Sequence, residues 1–115
     1  MRRFKVFFIL LFSFVALSFG QETTYTFEQN ISYYDDTMPS DDYMVERCLL
    51  DIYYPSNSQG YPTVVWFHGG GLTAGNKEIP EALKDKGVAV VGVNYRLFPK
   101  VNAPKYIEDA AAAVA

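Results

Sequence analysis

The residues of this sequence that are best suited to chemistry are three consecutive glycines, Gly69 to Gly71, which directly follow His68 and a short apolar run. Consecutive glycines cost backbone entropy, and they are typical of places where the chain needs a positive φ angle or where a ligand approaches the backbone closely. Without side chains in the way, a ligand can come within hydrogen-bond distance of the backbone N–H groups. The segment from His68 to Lys77 is therefore the first candidate for a functional site.

A phosphate-binding loop of the Walker type is one interpretation of this segment. Gly70 and Gly75 have the spacing of the two glycines of that motif. The motif then requires a lysine followed directly by serine or threonine. Here Lys77 comes one residue late and Glu78 follows it, so the pattern is incomplete.

A dinucleotide-binding fingerprint is a second interpretation, because Gly69, Gly71 and Ala74 match the pattern G-x-G-x-x-A after a predicted strand. That fingerprint requires a helix that opens within the motif and an acidic residue near the end of the next strand. The next helix is expected only near Pro80, and the next strand is followed by Asn94 rather than by an acidic residue. The context of the motif therefore does not fit.

An oxyanion hole is the third interpretation. In such a site backbone N–H groups bind the negative oxygen that forms when an ester carbonyl is attacked, and each donor is typically worth about 3–4 kcal/mol of transition-state stabilisation. A His-Gly-Gly-Gly sequence after a strand is the form found in lipases and esterases. The residue types at positions 68–71 favour this interpretation over the two phosphate-binding patterns.

Two continuous apolar runs flank the glycine segment, at residues 63–67 and 88–93. Runs of this kind are typical of strands that are covered on both faces, as in a parallel sheet. Between them a short helix is expected from about Pro80 to Lys86, with Gly87 just past its end. The unit then has the order strand, helix, strand, which predicts a right-handed crossover between two parallel strands.

The segments outside this unit complete the predicted architecture. Apolar and polar residues alternate at about residues 25–33 and 45–54, which predicts two antiparallel strands, with a loop at 35–42 and a turn at 55–60. A further helix is expected from about Pro104, with an apolar stripe formed by Ile107, Ala110, Ala111 and Val114. The prediction is an α/β fold in which antiparallel N-terminal strands precede a parallel βαβ unit and the start of another helix.

The first 20 residues have the pattern of a secretory signal. Arg2, Arg3 and Lys5 precede an apolar run, and Ser18 and Gly20 are small residues at the positions that precede a cleavage site. The apolar run is shorter than the roughly 20 residues that a membrane-spanning helix needs. The sequence therefore predicts a signal peptide at residues 1–20, cleavage after Gly20, a mature chain without a stable membrane span, and a secreted or periplasmic location.

Composition excludes several classes of protein. The formal net charge of −3 over 115 residues lacks the basic excess of a nucleic-acid-binding protein, so no nucleic-acid partner is expected. The single cysteine, Cys48, excludes a disulfide framework and a cysteine-rich zinc module. In an exported protein we expect Cys48 to be a small, partly buried apolar residue.

Several motifs stand in the order that is typical of one family. They are LDIYYP at residues 50–55, VVWFHGGG at 64–71, AGNK at 74–77, GVAVV at 87–91, NYRL at 94–97 with Pro99, and PKYIEDA at 104–110. With these motifs the sequence resembles the N-terminal part of an α/β-hydrolase of the HGGG-type esterase and lipase group. It is most similar to the BD-FAE-like carboxylesterases, which include bacterial feruloyl and acetyl-xylan esterase-like enzymes. The resemblance covers about residues 48–115.

The resemblance implies roles for individual residues of the glycine segment. The N–H groups of Gly70 and Gly71 correspond to the oxyanion-binding amides of the family, and Gly69 shapes the turn. His68 corresponds to a position that supports the loop and is not the base of the catalytic triad. No metal or cofactor is implied.

The resemblance also implies mainly structural roles for two charged residues further along the chain. Arg96 lies in a segment that braces the loop and the strand ends, with a substrate carboxylate as an alternative partner. Asp109 corresponds to an acidic position of the second predicted helix, where it interacts with the helix N-terminus or with a nearby base. It is not the acid of the triad.

The 115 residues contain no Gly-x-Ser-x-Gly sequence for a nucleophile. In this fold the catalytic residues follow in the order Ser, Asp or Glu, His, and all three are expected beyond Ala115. Residues 21–115 are therefore interpreted as the N-terminal part of an α/β-hydrolase domain, truncated before the nucleophile and inactive by itself.

The predicted function is that of a secreted serine hydrolase that acts on small-molecule or carbohydrate-linked carboxylic esters. Two alternatives remain open: a peptidase of the prolyl-oligopeptidase type, and a hydrolase-like protein that binds without catalysis. The sequence does not specify the acyl or alcohol part of the ester, or an oligomeric state.

Overall fold

The computed structural model describes residues 20–115, which form a four-stranded sheet with two helices. The spatial order of the strands is β1-β2-β4-β3. In chain order the elements are β1 (Tyr25–Ser32), α1 (Asp42–Arg47), β2 (Leu49–Pro55), β3 (Thr63–Phe67), a 3₁₀ turn (Glu81–Leu83), β4 (Ala89–Val93) and α2 (Lys105–Val114). The proposed signal peptide lies outside the described residues, apart from Gly20.

The first two strands form the antiparallel pair that the alternating pattern predicts. Tyr25 of β1 is paired with Pro55 of β2, and Ser32 with Leu49. The register shifts between Glu28 and Ile31, so β1 carries an irregularity at this point. The N–H of Asn30, within that irregularity, donates to the Asp51 carboxylate at 2.8 Å.

The last two strands, β3 and β4, are parallel, as predicted. The strand β4 also pairs with β2, and this pairing connects the two halves of the sheet. Thr63 of β3 is paired with Ala89 of β4, whereas β2 and β4 run antiparallel. Val90 and Val93 of β4 are completely buried. The predicted α/β fold class is confirmed, but β3 was expected to be covered on both faces. It is the edge strand of the described sheet, and Trp66 and Phe67 are 38% and 37% exposed.

The helix α1 replaces the beginning of the second predicted strand. Residues 45–47 were expected to be extended, but the Asp41 side chain accepts a hydrogen bond from the N–H of Met44 at 2.7 Å and caps a six-residue helix. This is the usual way in which an aspartate satisfies a free N–H group at a helix start. The strand prediction was wrong here because the capping signal lies inside the acidic segment that was interpreted as a loop.

The helix predicted at residues 80–86 is reduced to the 3₁₀ turn. Lys84 is extended, and Asp85 adopts a positive φ of 58°, which ends any helix. The Tyr53 hydroxyl donates to the Asp85 carboxylate and thereby holds the chain in this conformation. The contact joins residues 32 positions apart, so a local pattern cannot reveal it.

The helix α2 begins where it was predicted, but the predicted apolar stripe is not its buried face. Ile107 and Val114, which belong to the predicted apolar stripe, are 61% and 62% exposed. The residue of α2 that is completely buried is Asp109. The helix is therefore attached through a buried carboxylate, described below, and the apolar stripe remains largely open to solvent.

The thiol of Cys48 is 2% exposed and forms no disulfide, as expected for a buried apolar residue. Burial raises the pKa of this thiol to about 11. At pH 8 its thiolate fraction is then about 100-fold below that of an ordinary cysteine.

We expect iodoacetamide to modify Cys48 at least about 100-fold more slowly in the folded protein than in urea, as measured by mass spectrometry of the Cys48 peptide. Equal rates in the two states would contradict its burial.

Within residues 20–115, none of the helices is long and apolar enough to cross a lipid bilayer.

Candidate active site

The glycine turn, residues 68–76, begins at the end of β3 and is built from unusual backbone conformations. Gly70 has a φ of 124° and Gly71 a φ of 60°, and the next residue, Leu72, also has a positive φ of 64°. Positive φ angles are strained for residues with a side chain, and glycine adopts them most readily. The glycines at these positions thus allow a sharp turn that exposes the backbone at the tip of the strand.

The carbonyl groups of Gly69 and Gly70 are both held inside the turn by hydrogen bonds. The Gly69 carbonyl oxygen lies 2.8 Å from Nδ1 of His68. The Gly70 carbonyl accepts from the N–H groups of Thr73 and Ala74 at 3.2 Å and from the Thr73 hydroxyl at 3.1 Å. Each carbonyl therefore has a fixed direction.

The directions of these carbonyls determine where the following N–H groups point. The peptide bonds after Gly69 and Gly70 are trans, and in a trans peptide the N–H points opposite to the C=O. The N–H groups of Gly70 and Gly71 therefore point out of the turn. In residues 20–115 neither of them donates a hydrogen bond to another group. Two free donors next to each other are suited to bind an anionic oxygen.

Steric limits differ among the glycines. A Cβ atom on Gly70 would overlap the Ala74 carbonyl, and one on Gly75 would overlap the His68 ring and the Gly69 carbonyl. A Cβ atom on Gly69 or Gly71 would meet nothing within 4 Å. Gly70 and Gly75 are therefore required by the packing of the turn itself, whereas Gly71 borders open space.

The side chain of His68 lies beneath the turn and is 5% exposed. Its ring stacks on Tyr95, with 4.6 Å between the ring centroids and 8° between the planes. The Tyr95 hydroxyl donates to the His68 carbonyl at 2.8 Å, and the Nε2 atom of His68 lies 3.3 Å from Nη2 of Arg47. Both ring nitrogens are thus engaged with neighbouring groups of the protein.

Arg47, the last residue of α1, was not identified from the sequence, although it contacts both ends of the turn. Its Nη1 donates to the Asn76 side chain at 2.9 Å, and its Nη2 to the Gly75 carbonyl at 3.2 Å. Its Nε donates to the Tyr95 carbonyl at 3.1 Å. One feature of the sequence could have indicated Arg47: it is a charged residue directly before the apolar Cys48 and β2. A charged side chain that is buried at such a position requires a partner.

The exit of the turn is anchored by Lys77. Its ammonium group lies 2.6 Å from the Asp51 carboxylate of β2, and its backbone N–H donates to the Asn94 side chain at 2.6 Å. The backbone of Glu78 then passes so close to Gly92 of β4 that a Cβ atom on Gly92 would overlap its carbonyl. Lys77, which was considered as a phosphate-binding lysine, is thus engaged in a largely buried ion pair.

The two charged residues assigned structural roles form an ion pair that attaches α2. The Nε and Nη2 atoms of Arg96 donate to the Asp109 carboxylate at 2.9 and 2.7 Å, and the Arg96 N–H donates at 3.0 Å. The Tyr34 hydroxyl adds a fourth bond at 2.8 Å. Of the two roles considered for Arg96, the structure places it in the bracing one.

The protonation of this pair follows from its contacts. Burial by itself would raise the pKa of the Asp109 carboxyl, but the hydrogen bonds from Arg96 and Tyr34 lower it below its usual value. Burial and the hydrogen bond to Asp109 raise the pKa of Tyr34 to about 12. The carboxylate is therefore ionised and held by four hydrogen bonds from Arg96 and Tyr34, and it is not available as a catalytic acid.

An open apolar groove of about 350 Å³ lies between the glycine turn and α2. Its walls are formed by Phe67, Leu72, Tyr95, Tyr106, Ile107 and Ala110. In the part of the chain that the structure describes, no group of three or more His, Cys, Asp or Glu side chains is placed to hold a metal ion.

Comparisons with known proteins identify relatives of this chain. The family model described as BD-FAE matches residues 50–115. Carboxylic ester hydrolase LipN of Mycobacterium tuberculosis is 39% identical over 66 residues, which cover 53% of this chain and 18% of LipN. Pyrethroid hydrolase Ces2a of Mus musculus is 38% identical over 61 residues, which cover 47% of this chain and 11% of that protein.

Solved structures show the same relationship. Esterase B from Lactobacillus rhamnosis has a TM-score of 0.63 and 30% identity, over 78% of this chain and 28% of the esterase. The truncated form of a carbohydrate esterase from gut microbiota has a TM-score of 0.62 and 26% identity, over 83% of this chain and 33% of that one. The chain thus spans only a third or less of the length of these relatives. Because the family model matches more than half of the chain, the chain belongs to the BD-FAE family of carboxylesterase-like α/β-hydrolases.

Proposed function

We propose that this chain supplies the oxyanion-binding part of a serine hydrolase that acts on carboxylic esters. The observation that carries the proposal is the pair of outward N–H groups at Gly70 and Gly71, which have no acceptor within residues 20–115. Their position at the tip of a parallel strand supports this role, as do the esterases among the relatives. His68 and Gly69 maintain the turn and do not touch the substrate.

In the proposed reaction a serine hydroxyl attacks the ester carbonyl. The serine proton passes to a histidine, and the carbonyl oxygen gains a negative charge, which the N–H groups of Gly70 and Gly71 bind. Collapse of this intermediate expels the alcohol, which takes up the proton, and leaves an acyl-enzyme that water hydrolyses. Serine, histidine and acid would come from residues that are not among these 115, so the 115-residue chain alone is proposed to be inactive.

The proposed substrates are small-molecule or carbohydrate-linked esters. The carbohydrate esterase among the structural relatives supports the second class, and the pyrethroid hydrolase supports the first. We also propose that the complete gene product is exported, because residues 1–20 have the pattern of a cleavable signal.

Gly71 offers the sharpest test, because its N–H faces the proposed anion and an added methyl group meets no protein atom. In the complete gene product, Gly71→Ala is expected to lower kcat for p-nitrophenyl acetate by about 10- to 100-fold, since the methyl group displaces the carbonyl from the donors. Gly87→Ala is the matched control. Gly87 has a similar φ of 73° and equally open surroundings, but lies before β4, away from the turn.

The comparison separates catalysis from folding. Both variants place an alanine in the left-handed region, so a similar small loss of thermal stability is expected in each, whereas only Gly71→Ala loses activity. Equal activities of the two variants would contradict the oxyanion role. A complete gene product without a Gly-x-Ser-x-Gly sequence, or without esterase activity, would contradict the proposed reaction.

A further inference from the structure

The guanidinium group of Arg47 connects the start of the glycine turn to its end. It contacts His68 at the start, Gly75 and Asn76 at the end, and the Tyr95 carbonyl just after β4. Arg47 is 8% exposed, and three of these four bonds go to the turn. Such an arrangement stabilises one particular geometry of the turn, because a planar guanidinium donates in fixed directions.

Two contacts of the His68 ring bear on which of its nitrogens carries a proton: the one with Arg47 and the one with the Gly69 carbonyl. Arginine has only donors, so the Nε2 atom of His68, 3.3 Å from Nη2, must accept. The ring proton of the neutral imidazole then resides on Nδ1. From there it is donated to the Gly69 carbonyl at 2.8 Å.

This hydrogen bond controls the first of the two oxyanion donors. The Gly69 carbonyl and the Gly70 N–H belong to one trans peptide and point in opposite directions. With Nδ1–H bound to the carbonyl, the Gly70 N–H points out of the turn. A His68 ring protonated on Nε2 instead would offer a lone pair to that carbonyl, and the peptide would lose the bond that keeps it in place.

We propose that Arg47 is a positioning residue of the oxyanion-binding turn, and that it acts by holding His68 in the tautomer with the proton on Nδ1. The inference rests on the proposed function of the turn, but the tautomer itself is measurable without any assay of activity. Arg47 touches neither the turn's free N–H groups nor the space in front of them.

The first experiment is ¹⁵N NMR of the imidazole nitrogens in the complete gene product, with the His68 signals assigned by comparison with His68→Gln. The expected result is a neutral ring protonated on Nδ1 in the wild-type protein. In Arg47→Met the Nε2 atom loses its donor, and the signals are expected to shift towards the Nε2-protonated form. A wild-type ring protonated on Nε2, or a tautomer unchanged in Arg47→Met, would overturn the proposal.

The second experiment measures ester hydrolysis. We expect kcat of Arg47→Met to fall about 10- to 100-fold with KM within about twofold, because the substrate contacts remain and the donor is misdirected. Arg47→Lys keeps the charge but not the planar fork, and kcat is expected to fall as well. If Arg47→Met does not fold, the proposal is tested with Arg47→Lys and with the ¹⁵N spectrum of the wild-type His68 ring. Wild-type kcat in Arg47→Met, or in an Arg47→Lys variant whose His68 ring has lost the proton on Nδ1, would overturn the proposal.

Glu46→Gln is the matched control, since Glu46 precedes Arg47 on the same helix and is exposed. It is expected to leave kcat and the His68 spectrum unchanged. Failure of this inference is distinguishable from failure of the proposed function. An unperturbed Gly71→Ala variant would remove the oxyanion role even if the tautomer is as expected, whereas an Nε2-protonated ring would remove the role of Arg47 even if Gly71→Ala is impaired.

Discussion

Replacement of Gly70 by alanine in the complete gene product is expected to lower kcat/KM for p-nitrophenyl acetate by about 1,000-fold, the upper range for the loss of one oxyanion donor. The added Cβ would overlap the Ala74 carbonyl oxygen, which is backbone and cannot rotate away. The φ of 124° is also one that alanine avoids. The turn must therefore rebuild, and the N–H groups of residues 70 and 71 no longer point out of it as they do in the wild-type turn.

The expected loss in Gly70→Ala exceeds that in Gly71→Ala, whose methyl group leaves the turn intact. Steady-state kinetics and thermal melting of the two variants side by side would show it. Gly70→Ala is expected to lower both activity and melting temperature, whereas Gly71→Ala lowers mainly activity. A Gly70→Ala enzyme with activity equal to that of Gly71→Ala would mean that the turn accommodates a side chain, and the steric argument would be wrong.

The strands were predictable because their signals are local. Each strand was predicted from residues that are neighbours along the chain: the alternation in β1 and β2, and the continuous apolar runs of β3 and β4. From these patterns the antiparallel pairing of β1 with β2 and the parallel pairing of β3 with β4 could be predicted. Helix lengths were not predictable in the same way. The 3₁₀ turn ends early because Tyr53, 32 residues away, binds Asp85, and α1 depends on the Asp41 cap inside an acidic segment.

In the candidate site, too, the residues with a local signal could be predicted, whereas those that depend on distant contacts could not. The glycines could be identified from residue type alone, since no other residue adopts the φ angle of Gly70 without strain. Arg47 could not, because its role arises from contacts with residues 21 to 48 positions away. The apolar stripe of α2 was predicted to be buried for a related reason. Ile107 and Val114 have helical spacing, but the helix is attached by Asp109 to Arg96, which lies after β4.

Substitution of Asp109 by asparagine is expected to destabilise the complete gene product by about 3–5 kcal/mol, the usual cost of breaking a buried ion pair from one side. Asparagine preserves the shape but leaves the Arg96 guanidinium, which is 8% exposed, without a countercharge. Urea unfolding of both proteins would measure the difference. Glu108→Gln is the control, because the neighbouring Lys105–Glu108 pair is about half exposed and is worth at most about 1 kcal/mol.

The pH dependence gives an independent check of the same ion pair. The pKa of Asp109 is lowered in the folded protein, whereas an unfolded aspartate titrates at about 3.9. A carboxyl with a lowered folded pKa stabilises the protein above the unfolded value, and this stabilisation is lost as pH falls through the folded value. The gap in unfolding free energy between wild type and Asp109→Asn should therefore be full at pH 7 and shrink below about pH 4. A gap that does not change with pH would show that asparagine disturbs packing rather than charge.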